Sequence, residues 1–437
     1  MPAPATSPWN AGGWRWFATP DRRLLWASVG LQLVLATLLG HSYDTKVFMA
    51  TGYLVGTGQD PYVAQNLLPV FHHAGFSVIT SIGYPPPWPL ALGLLYRGTY
   101  ALVHNLVVYN LAIKLPVIAA TVGLAYLVAA IVRNLGTPAA VCRRAWVMLL
   151  FNPFLLFASA AWGQIDVVVA LLALAALVLL HSDRWKASAL VLAFAVCVKP
   201  IVAPFLLVAI ACVLARSRRQ ATRYTALFVG GVLAFYVLPF LALGWSAAPL
   251  RRVNFEFVQS GGMSLITVVR LARNPVVLRG HWWLLGLAWV PALAVATLAL
   301  RRGVGDFDDL VKKTTALVLV FFLTRTWLSE PNAVLLLPLV LILTSRGELD
   351  RRAFTAVWVI PLLFAVCNAA PLGVLWVAFP GLWQRSVDAV APYGHALLVA
   401  RAALVIAWEI AGWWIVVECL RRSPAQETAD EELAPCS

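Results

Sequence analysis

The sequence predicts an all-α integral membrane protein that crosses the bilayer about twelve times. Three observations predict this fold class. Hydrophobic residues make up 61% of the 437 residues, charged residues make up only 12%, and the mean hydropathy is +0.81. A soluble domain is about half apolar and about a quarter charged. The composition therefore excludes a soluble globular enzyme, a disordered chain and a nucleic-acid-binding protein.

Apolar runs of about 17–25 residues predict the spans, and flanking Lys and Arg orient them. The first run, Leu24–Gly40, follows two arginines, which places the N-terminus inside. The segment His41–Asn105 is then a long first outer loop. Its apolar part, Leu90–Val103, is too short to span and predicts a juxtamembrane helix at the outer surface. Three further spans are predicted in the first half of the chain: Val107–Val132, Ala145–Trp162 and Val167–Leu180.

A Lys-Pro pair interrupts the next apolar stretch, Ala187–Ala215, at Lys199 and Pro200. Basic residues flank both ends of this stretch, so a single helix would place one basic group outside. The pattern therefore predicts a hairpin of two helices. The first arm, Ala187–Val198, is about 18 Å long at ~1.5 Å per residue, whereas the hydrocarbon core is about 30 Å thick. Lys199 is thus expected below the outer surface, in a cavity.

The second half of the chain adds a second outer loop, Trp245–His281, and six more spans. Twelve spans leave both termini inside, and 21 of the 33 basic residues then lie inside, against eight in outer loops. This division follows the positive-inside rule. We predict one transmembrane domain over 1–437, with cytoplasmic segments at 1–23 and 421–437. The six later spans are Tyr224–Leu243, Trp282–Leu300, Thr314–Thr324, Ala333–Thr344, Phe354–Phe379 and Val390–Val417.

Neither a disulfide framework nor a metal site is predicted. The chain has six cysteines, and none lies in the two outer loops. His72 and His73 are adjacent, so their side chains point apart, and no Cys or His lies near them as a partner.

Charged residues at membrane depth carry a functional hypothesis because burying a charge there is costly. A cation in an outer cavity can hold a phosphate, and a carboxylate can take a proton from a hydroxyl. Together they suit the transfer of a group from an anionic lipid. The cations at depth are Lys114, Lys199, Arg325 and Arg401, and the acidic residues near the outer face are Asp44, Asp60, Asp166, Glu256, Glu330 and Asp388.

Several short strings carry a resemblance to a known family. They are Asp44 after the first span, Gly58-Gln59-Asp60-Pro61-Tyr62, Tyr84-Pro85-Pro86, Asn152-Pro153, Trp162-Gly163-Gln164-Ile165-Asp166, Val198-Lys199-Pro200 and Ser329-Glu330-Pro331. In this order they resemble GT-C glycosyltransferases and are similar to bacterial relatives of the second mannosyltransferase of GPI-anchor synthesis. The resemblance covers most of 24–345. The Trp-Gly-Gln-Ile-Asp string with its following Lys-Pro hairpin is the most specific part.

The resemblance implies an inverting glycosyltransferase. It would move a hexose, expected to be mannose, from a polyprenyl-phosphate carrier to a lipid-linked or cell-envelope glycan. The donor is a co-substrate, so no cofactor is expected, and dependence on a divalent metal stays open. The expected partners are the donor, a glycan or glycolipid acceptor and membrane lipids, with no nucleic acid. The expected location is a bacterial plasma membrane, with the active site facing outside.

The resemblance and the position of each residue together assign the site. Asp44 is the expected catalytic base. A second group of candidates for acid–base chemistry or acceptor binding comprises Asp166, Gln164, Asp60 and Glu330. The candidates for binding the donor phosphate are Lys199, Lys114, Arg325, Arg251 and Arg252.

Structural alternatives exist for several of these residues. Asp44 and Asp166 could each cap a helix, Lys114 and Lys199 could snorkel to the surface, and Arg325 could simply pair with Glu330. At the level of the whole protein, a transporter or flippase of lipid-linked sugars would also place cations in a membrane cavity. A non-catalytic membrane assembly factor would need no base at Asp44.

Overall fold

The computed structural model describes residues 21–63, 67–72, 76, 82–248, 261–272, 280–298, 300, 304–368 and 370–421. Within these ranges the protein is almost entirely helical. The only strands in the described part are two residues each, β1 (Gly261–Gly262) and β2 (Trp327–Leu328), and they pair in parallel. The predicted sites at Arg251 and Arg252 lie outside the described residues.

In the first half of the chain, long apolar helices are joined by short helices and turns. They are α1 (Arg22–Leu38), α2 (Asp44–Gly56), α3 (Leu68–Phe71), α4 (Pro87–Gly98), α5 (Tyr100–Val103), α6 (Leu106–Asn134), α7 (Ala139–Leu150), α8 (Pro153–Leu156), a π-helical segment (Phe157–Ala161), α9 (Asp166–His181), α10 (Trp185–Val198), a 3₁₀ turn (Pro200–Val202) and α11 (Ala203–Arg216).

The second half continues the same pattern. It contains α12 (Arg218–Val232), a π-helical segment (Leu233–Val237), α13 (Leu238–Leu243), α14 (Ile266–Val269), a 3₁₀ helix (Gly280–Leu287), α15 (Trp289–Thr297), α16 (Phe307–Leu323), a 3₁₀ helix (Glu330–Leu335), α17 (Leu336–Arg346), α18 (Arg351–Cys367), α19 (Ala370–Gly373), a 3₁₀ turn (Val374–Trp376), α20 (Pro380–Val390), a 3₁₀ turn (Ala391–Tyr393) and α21 (Gly394–Leu420).

Four helical stretches of the described chain are long and apolar enough to cross a membrane by themselves: Leu106–Asn134, Ala139–Ala161, Arg218–Leu243 and Pro380–Leu420. Four shorter apolar helices accompany them: Asp166–His181, Trp185–Val198, Pro200–Arg216 and Leu284–Thr297. The helices α1, α16, α17 and α18 are further apolar segments of the described ranges. The predicted all-α, polytopic membrane fold is confirmed.

The predicted break at Lys199 separates α10 from α11. The start of α10 and the end of α11 lie at the same level, because Arg216 Nη1 contacts Asp183 Oδ1 at 2.9 Å. The two helices therefore form a hairpin. Arg346, at the end of α17, donates to the carbonyl oxygen of Leu135 at 2.8 Å and to Asp308 at 3.1 Å. These contacts gather the basic loops at one end of the bundle, here called the Arg346 end.

Helix α17 lies at the centre of the bundle. Every residue from Leu336 to Leu343 is buried, as expected of a helix that is apolar on all sides. The 3₁₀ helix before it, which begins at Glu330, is buried as well. Its first turn lies at the opposite end of the bundle from Arg346, here called the Asp44 end.

The described part of the segment predicted as the first outer loop folds against the Asp44 end. The predicted juxtamembrane helix is present as α4 and α5, beginning at Pro87. Helix α2 packs against α4, and a Cβ atom at Gly52 would lie 2.7 Å from the carbonyl oxygen of Leu92. Glycine thus lets the two backbones approach closely. Tyr109 of α6 donates to the carbonyl oxygen of Met49 at 3.3 Å, which joins α2 to the bundle.

Two predicted spans differ clearly from the helices of the structure, and charged residues explain the first difference. The span predicted at Thr314–Thr324 begins at Phe307, because Asp306 caps the helix by accepting from the backbone N–H of Asp309. The lysines of the first turns are paired, Lys313 with Asp309 at 2.6 Å and Lys312 with Glu348 at 2.5 Å. The span predicted at Phe354–Phe379 ends at Cys367, and short helices follow it.

Candidate active site

The Asp44 end brings together three helix ends that are far apart in sequence. Asp44 is the first residue of α2, Asp166 is the first residue of α9, and Lys199 directly follows α10. Neither carboxylate acts as a helix cap: the N-cap residues are Tyr43 and Ile165, and no side-chain capping bond forms at either. Both carboxylates instead contact side chains from other segments.

Asp44 is held by two aromatic side chains. Trp162 Nε1 donates to Asp44 Oδ2 at 2.6 Å, and His41 Nδ1 lies 3.3 Å from the same oxygen. The His41 and Trp162 rings stack with centroids 4.3 Å apart. The Asp44 side chain retains 20% exposure, so one face of the carboxylate stays accessible while its orientation is restrained.

These contacts also set the charge of the carboxylate. Burial alone would raise the pKa of Asp44, but the hydrogen bond and charge of His41, followed by the hydrogen bonds of Trp162 and Gln164, lower it below its usual value. Asp44 is therefore ionised at neutral pH. His41 Nδ1 also accepts from the backbone N–H of Tyr43 at 3.3 Å.

Trp162 is positioned by the π-helical segment and by the turn after it. Gly163 has φ +92°, a left-handed conformation that favours glycine. A Cβ atom there would lie 2.9 Å from Cε of Lys114, so the turn packs directly on this lysine. The Trp-Gly-Gln-Ile-Asp string thereby places Trp162 and Gln164 near Asp44 and starts α9 at Asp166.

Lys114, predicted to bind the donor phosphate, is enclosed by backbone carbonyls. Its ammonium donates to the carbonyl oxygens of Leu39 and Ala161, the latter at 2.9 Å, and the residue is 1% exposed. These carbonyls end α1 and the π-helical segment, where the last carbonyls of a helix lack partners within it. Lys114 therefore joins two helix ends. Snorkelling to the surface is excluded by the same contacts.

Tyr84 links Asp44 to the second carboxylate. Its hydroxyl donates to Gln164 Oε1 at 3.0 Å, and Lys199 Nζ lies 5.4 Å from the centre of its ring. Burial, followed by the charges of Asp44 and Asp166, raises the pKa of Tyr84 well above its usual value. Tyr84 is therefore a neutral hydrogen-bond donor located between the two carboxylates.

Lys199 and Asp166 form a two-point ion pair. Lys199 Nζ lies 2.8 Å from both carboxylate oxygens of Asp166. The Asp166 side chain is 1% exposed, and the Lys199 side chain is 12% exposed. An ammonium carries three N–H donors, and two of them can bond to the two carboxylate oxygens of Asp166. One N–H donor therefore remains. An ammonium at membrane depth needs an anionic partner, and Asp166 provides one within the protein.

Glu330 lies beside this cluster in a separate polar chain. Asn368 Nδ2 donates to Glu330 Oε1 at 2.8 Å, and Arg401 Nη1 donates to Asn368 Oδ1 at 2.6 Å. Glu330 is 4% exposed. The alternative pairing of Arg325 with Glu330 is not found: Arg325 lies over the Phe321 ring, 4.9 Å from its centre.

Asp60 holds two loops together, away from the Asp44 cluster. Its Oδ1 accepts from the backbone N–H of Tyr62 at 2.9 Å, and its Oδ2 accepts from that of Ser246 at 2.7 Å. Tyr62 in turn donates to the carbonyl oxygen of Tyr84 at 3.0 Å. Asp60 therefore supports the segment that carries Tyr84, and its predicted contact with the reacting groups is not seen.

Sequence reasoning assigned no role to His41, Trp162, Tyr84 or Arg401. Trp162 and Tyr84 belong to the quoted motifs, so a signal for them was present. His41 lies three residues before Asp44, a spacing that allows side-chain contact. Arg401 is one of the predicted cations at membrane depth, and its contact with Asn368 has no signature in the sequence.

Comparison with known proteins shows a shared fold. No protein-family model and no curated protein matches the chain. Among solved structures, the crystal structure of ArnT from Cupriavidus metallidurans bound to undecaprenyl phosphate aligns with a TM-score of 0.51 and 15% sequence identity. The alignment covers 95% of this chain and 79% of ArnT. At this level of identity the alignment shows a shared fold.

Proposed function

We propose that this protein, with its fold and its cluster of charges at the Asp44 end, is an inverting glycosyltransferase. It transfers a hexose from a polyprenyl-phosphate carrier to a hydroxyl group of a lipid-linked or cell-envelope glycan. The observation that carries the proposal is the partly exposed carboxylate of Asp44, oriented by Trp162 beside the Lys199–Asp166 pair. The undecaprenyl phosphate in the ArnT structure supports a polyprenyl phosphate as the carrier. The motif resemblance favours mannose as the sugar.

Asp44 is the proposed general base. The acceptor oxygen forms a bond to the anomeric carbon, and the bond from this carbon to the phosphate oxygen breaks. The electron pair leaves with the lipid phosphate, and the hydroxyl proton passes to Asp44. A carboxylate of low pKa is a weak base, so it takes the proton late, after the new C–O bond has made the hydroxyl acidic. A single displacement inverts the anomeric configuration.

Lys199 is the proposed ligand of the donor phosphate. Negative charge on this phosphate grows as the sugar leaves, so a cation there stabilises the transition state more than the bound substrate. The third N–H of the ammonium is available for a phosphate oxygen, while Asp166 keeps the lysine in position. Arg325, whose guanidinium lies over the Phe321 ring, remains a candidate for a second phosphate contact.

The proposed orientation places the Asp44 end outside and the Arg346 end in the cytoplasm. The basic loops gather at the Arg346 end, in agreement with the positive-inside rule. In a bacterial plasma membrane, the reaction would then occur at the outer face.

The test is donor consumption by purified full-length protein. Short-chain polyprenyl-phosphate mannose and its glucose counterpart are supplied with envelope lipid acceptors, and released polyprenyl phosphate is measured. We expect turnover with one donor and a loss of about 10²–10⁴-fold in Asp44→Asn. The matched control is Asp388→Asn, because Asp388 is exposed and contacts Gln384 at 3.0 Å on α20.

Two outcomes contradict the proposal. Asp44→Asn within about threefold of wild type would remove Asp44 as the base. Movement of intact donor across vesicle membranes without release of polyprenyl phosphate would indicate a transporter.

A further inference from the structure

A groove on the lipid-facing side of the bundle lies far from the Asp44 cluster. It runs between α10 and α12 and has a volume of about 640 Å³. Lys186 and Arg223 lie at one end, and Phe235 lies at the other. Lys186 is at the start of α10, whereas Lys199 follows the end of that helix. The end of the groove that carries Lys186 and Arg223, here called its mouth, is therefore at the Arg346 end.

The body of the groove is apolar and open. Leu190 lines it and is 43% exposed. A Cβ atom at Gly230, also in the lining, would meet no atom within 4 Å. In the most apolar part of the Arg218–Leu243 helix, only 17% of the residues are buried in the protein, whereas 67% are buried in the corresponding part of α6. This helix therefore exposes most of its apolar surface to the lipid.

The length of the groove matches one leaflet. Arg223 and Ala234 both line it and are 11 residues apart, about 16 Å along a helix. The hydrocarbon core is about 30 Å thick, so the groove extends from the membrane surface to about the midplane.

The mouth carries two cations without an acidic partner in the described ranges. None of the ion pairs found there includes Lys186 or Arg223, whereas nearby Arg216 pairs with Asp183. Lys186 Nζ lies 5.6 Å from the ring centre of Trp185, a residue type enriched at membrane interfaces. Two cations above a one-leaflet apolar groove complement a negatively charged headgroup with its acyl chain.

We propose that this groove binds one phospholipid with an anionic headgroup, held between Lys186 and Arg223, with an acyl chain against Gly230 and Leu190. The site is separate from the reacting groups, so it is independent of the proposed glycosyl transfer. In the proposed orientation, the lipid belongs to the cytoplasmic leaflet, which is rich in anionic lipids.

The test is lipid retention by delipidated full-length protein, measured by native mass spectrometry with phosphatidylglycerol and phosphatidylcholine as probes. We expect phosphatidylglycerol to be retained in preference. The double variant Lys186→Gln/Arg223→Gln should weaken its binding by about 30-fold. The matched control is Arg218→Gln/Arg219→Gln, which removes the same charge from exposed positions outside the groove lining and should retain the lipid.

A second pair of variants tests the apolar groove. Gly230→Phe fills open space and should displace the lipid, whereas Val229→Phe, on an exposed neighbour outside the lining, should not. Equal loss in both charge-removal variants would overturn the proposal in favour of general surface charge. Retention of phosphatidylglycerol by Gly230→Phe, or equally tight binding of glycerol phosphate, would also overturn it, because no acyl chain would then occupy the groove.

Discussion

Two lysines near the Asp44 end, Lys114 and Lys199, have the same chemistry and different surroundings. Lys114 is 1% exposed and donates to two backbone carbonyls. The Lys199 side chain is 12% exposed and faces both oxygens of a carboxylate. The sequence predicts the same phosphate-binding role for both, and the structure separates them.

The two lysines differ in whether their partners leave an N–H donor available for a ligand. Lys114 is enclosed by carbonyl oxygens that belong to the fold, so moving its ammonium would expose two helix ends. Lys199 has one N–H donor left, and its side chain stays partly exposed. A buried cation paired with backbone oxygens thus supports the structure, whereas a partly exposed cation paired with a carboxylate can also meet a ligand. The following variants test this distinction, from the largest expected effect to the smallest.

The largest effect is expected at Lys199, measured against an Asp166→Asn background. Asp166→Asn alone should bind polyprenyl phosphate at least as tightly as wild type, since a neighbouring negative charge is gone. Adding Lys199→Met should weaken that binding by about 10- to 100-fold, because a charge-assisted hydrogen bond is lost. Titration of purified protein with a short-chain polyprenyl phosphate measures both affinities.

The background matters because Lys199→Met alone leaves Asp166 buried without a cation, which destabilises proteins by about 3–5 kcal/mol. Equal affinity of the single and double variants would reduce Lys199 to a counterion of Asp166. The phosphate would then have to be sought at Arg325 or in the second outer loop.

For Lys114→Met we expect a loss of stability and no direct effect on donor binding. Two buried carbonyl oxygens lose their donor, which should lower the free energy of unfolding by about 2–4 kcal/mol. Thermal unfolding in detergent, followed by tryptophan fluorescence, measures the change. Lys46→Met is the matched control, because Lys46 lies over the Trp376 and Trp383 rings and loses only about 1 kcal/mol. Unchanged melting with weakened donor binding would return Lys114 to the phosphate site.

Trp162→Phe should alter the pH dependence of turnover. The variant keeps a ring against His41 and removes the hydrogen bond that helps lower the pKa of Asp44. The pKa of Asp44 should rise, and kcat should fall by about tenfold. Because the base must be ionised, activity should be lost at a higher pH than in wild type as the medium is acidified.

The control for Trp162→Phe is Trp408→Phe, since Trp408 Nε1 has no hydrogen-bond partner among the described residues. Its pH profile should match that of wild type. An unshifted profile in Trp162→Phe would show that the indole does not set the charge of Asp44.

The smallest effect is expected for Asp60→Asn. The amide oxygen can still accept from one backbone N–H, so the free energy of unfolding should fall by only about 1 kcal/mol, and turnover should stay within about twofold of wild type. Parallel melting and activity assays measure both quantities. A loss of activity as large as in Asp44→Asn would place Asp60 among the reacting groups after all.

Much of the architecture was predictable because it depends on local properties. The lengths of the apolar runs and their basic flanks located the spans. The 12-residue arm between Ala187 and Val198 indicated the break at Lys199. The two wrong boundaries, at Phe307 and Cys367, involve a charged first turn and a series of short helices, which apolar run length does not register.

The candidate site was predictable only in part. Trp162, Gln164, Asp166 and Lys199 stand in two short strings, and the structure brings these strings together. The contacts that assign roles are long-range: Trp162 with Asp44 across 118 positions, and Lys114 with the carbonyl of Ala161 across 47. A backbone carbonyl is present at every position, so no sequence pattern could reveal that Lys114 uses two of them.

The sequence by itself determined that the chain is a multi-pass helical membrane protein with charges gathered near one face, because hydrophobic run length and charge distribution act residue by residue. Only the tertiary structure decided which of those charges are satisfied by the fold and which retain a donor or an accessible oxygen. The physical reason is that a buried charge needs a partner at about 3 Å. Whether a carbonyl, a carboxylate or an open cavity lies at that distance depends on how helices that are distant in sequence pack together.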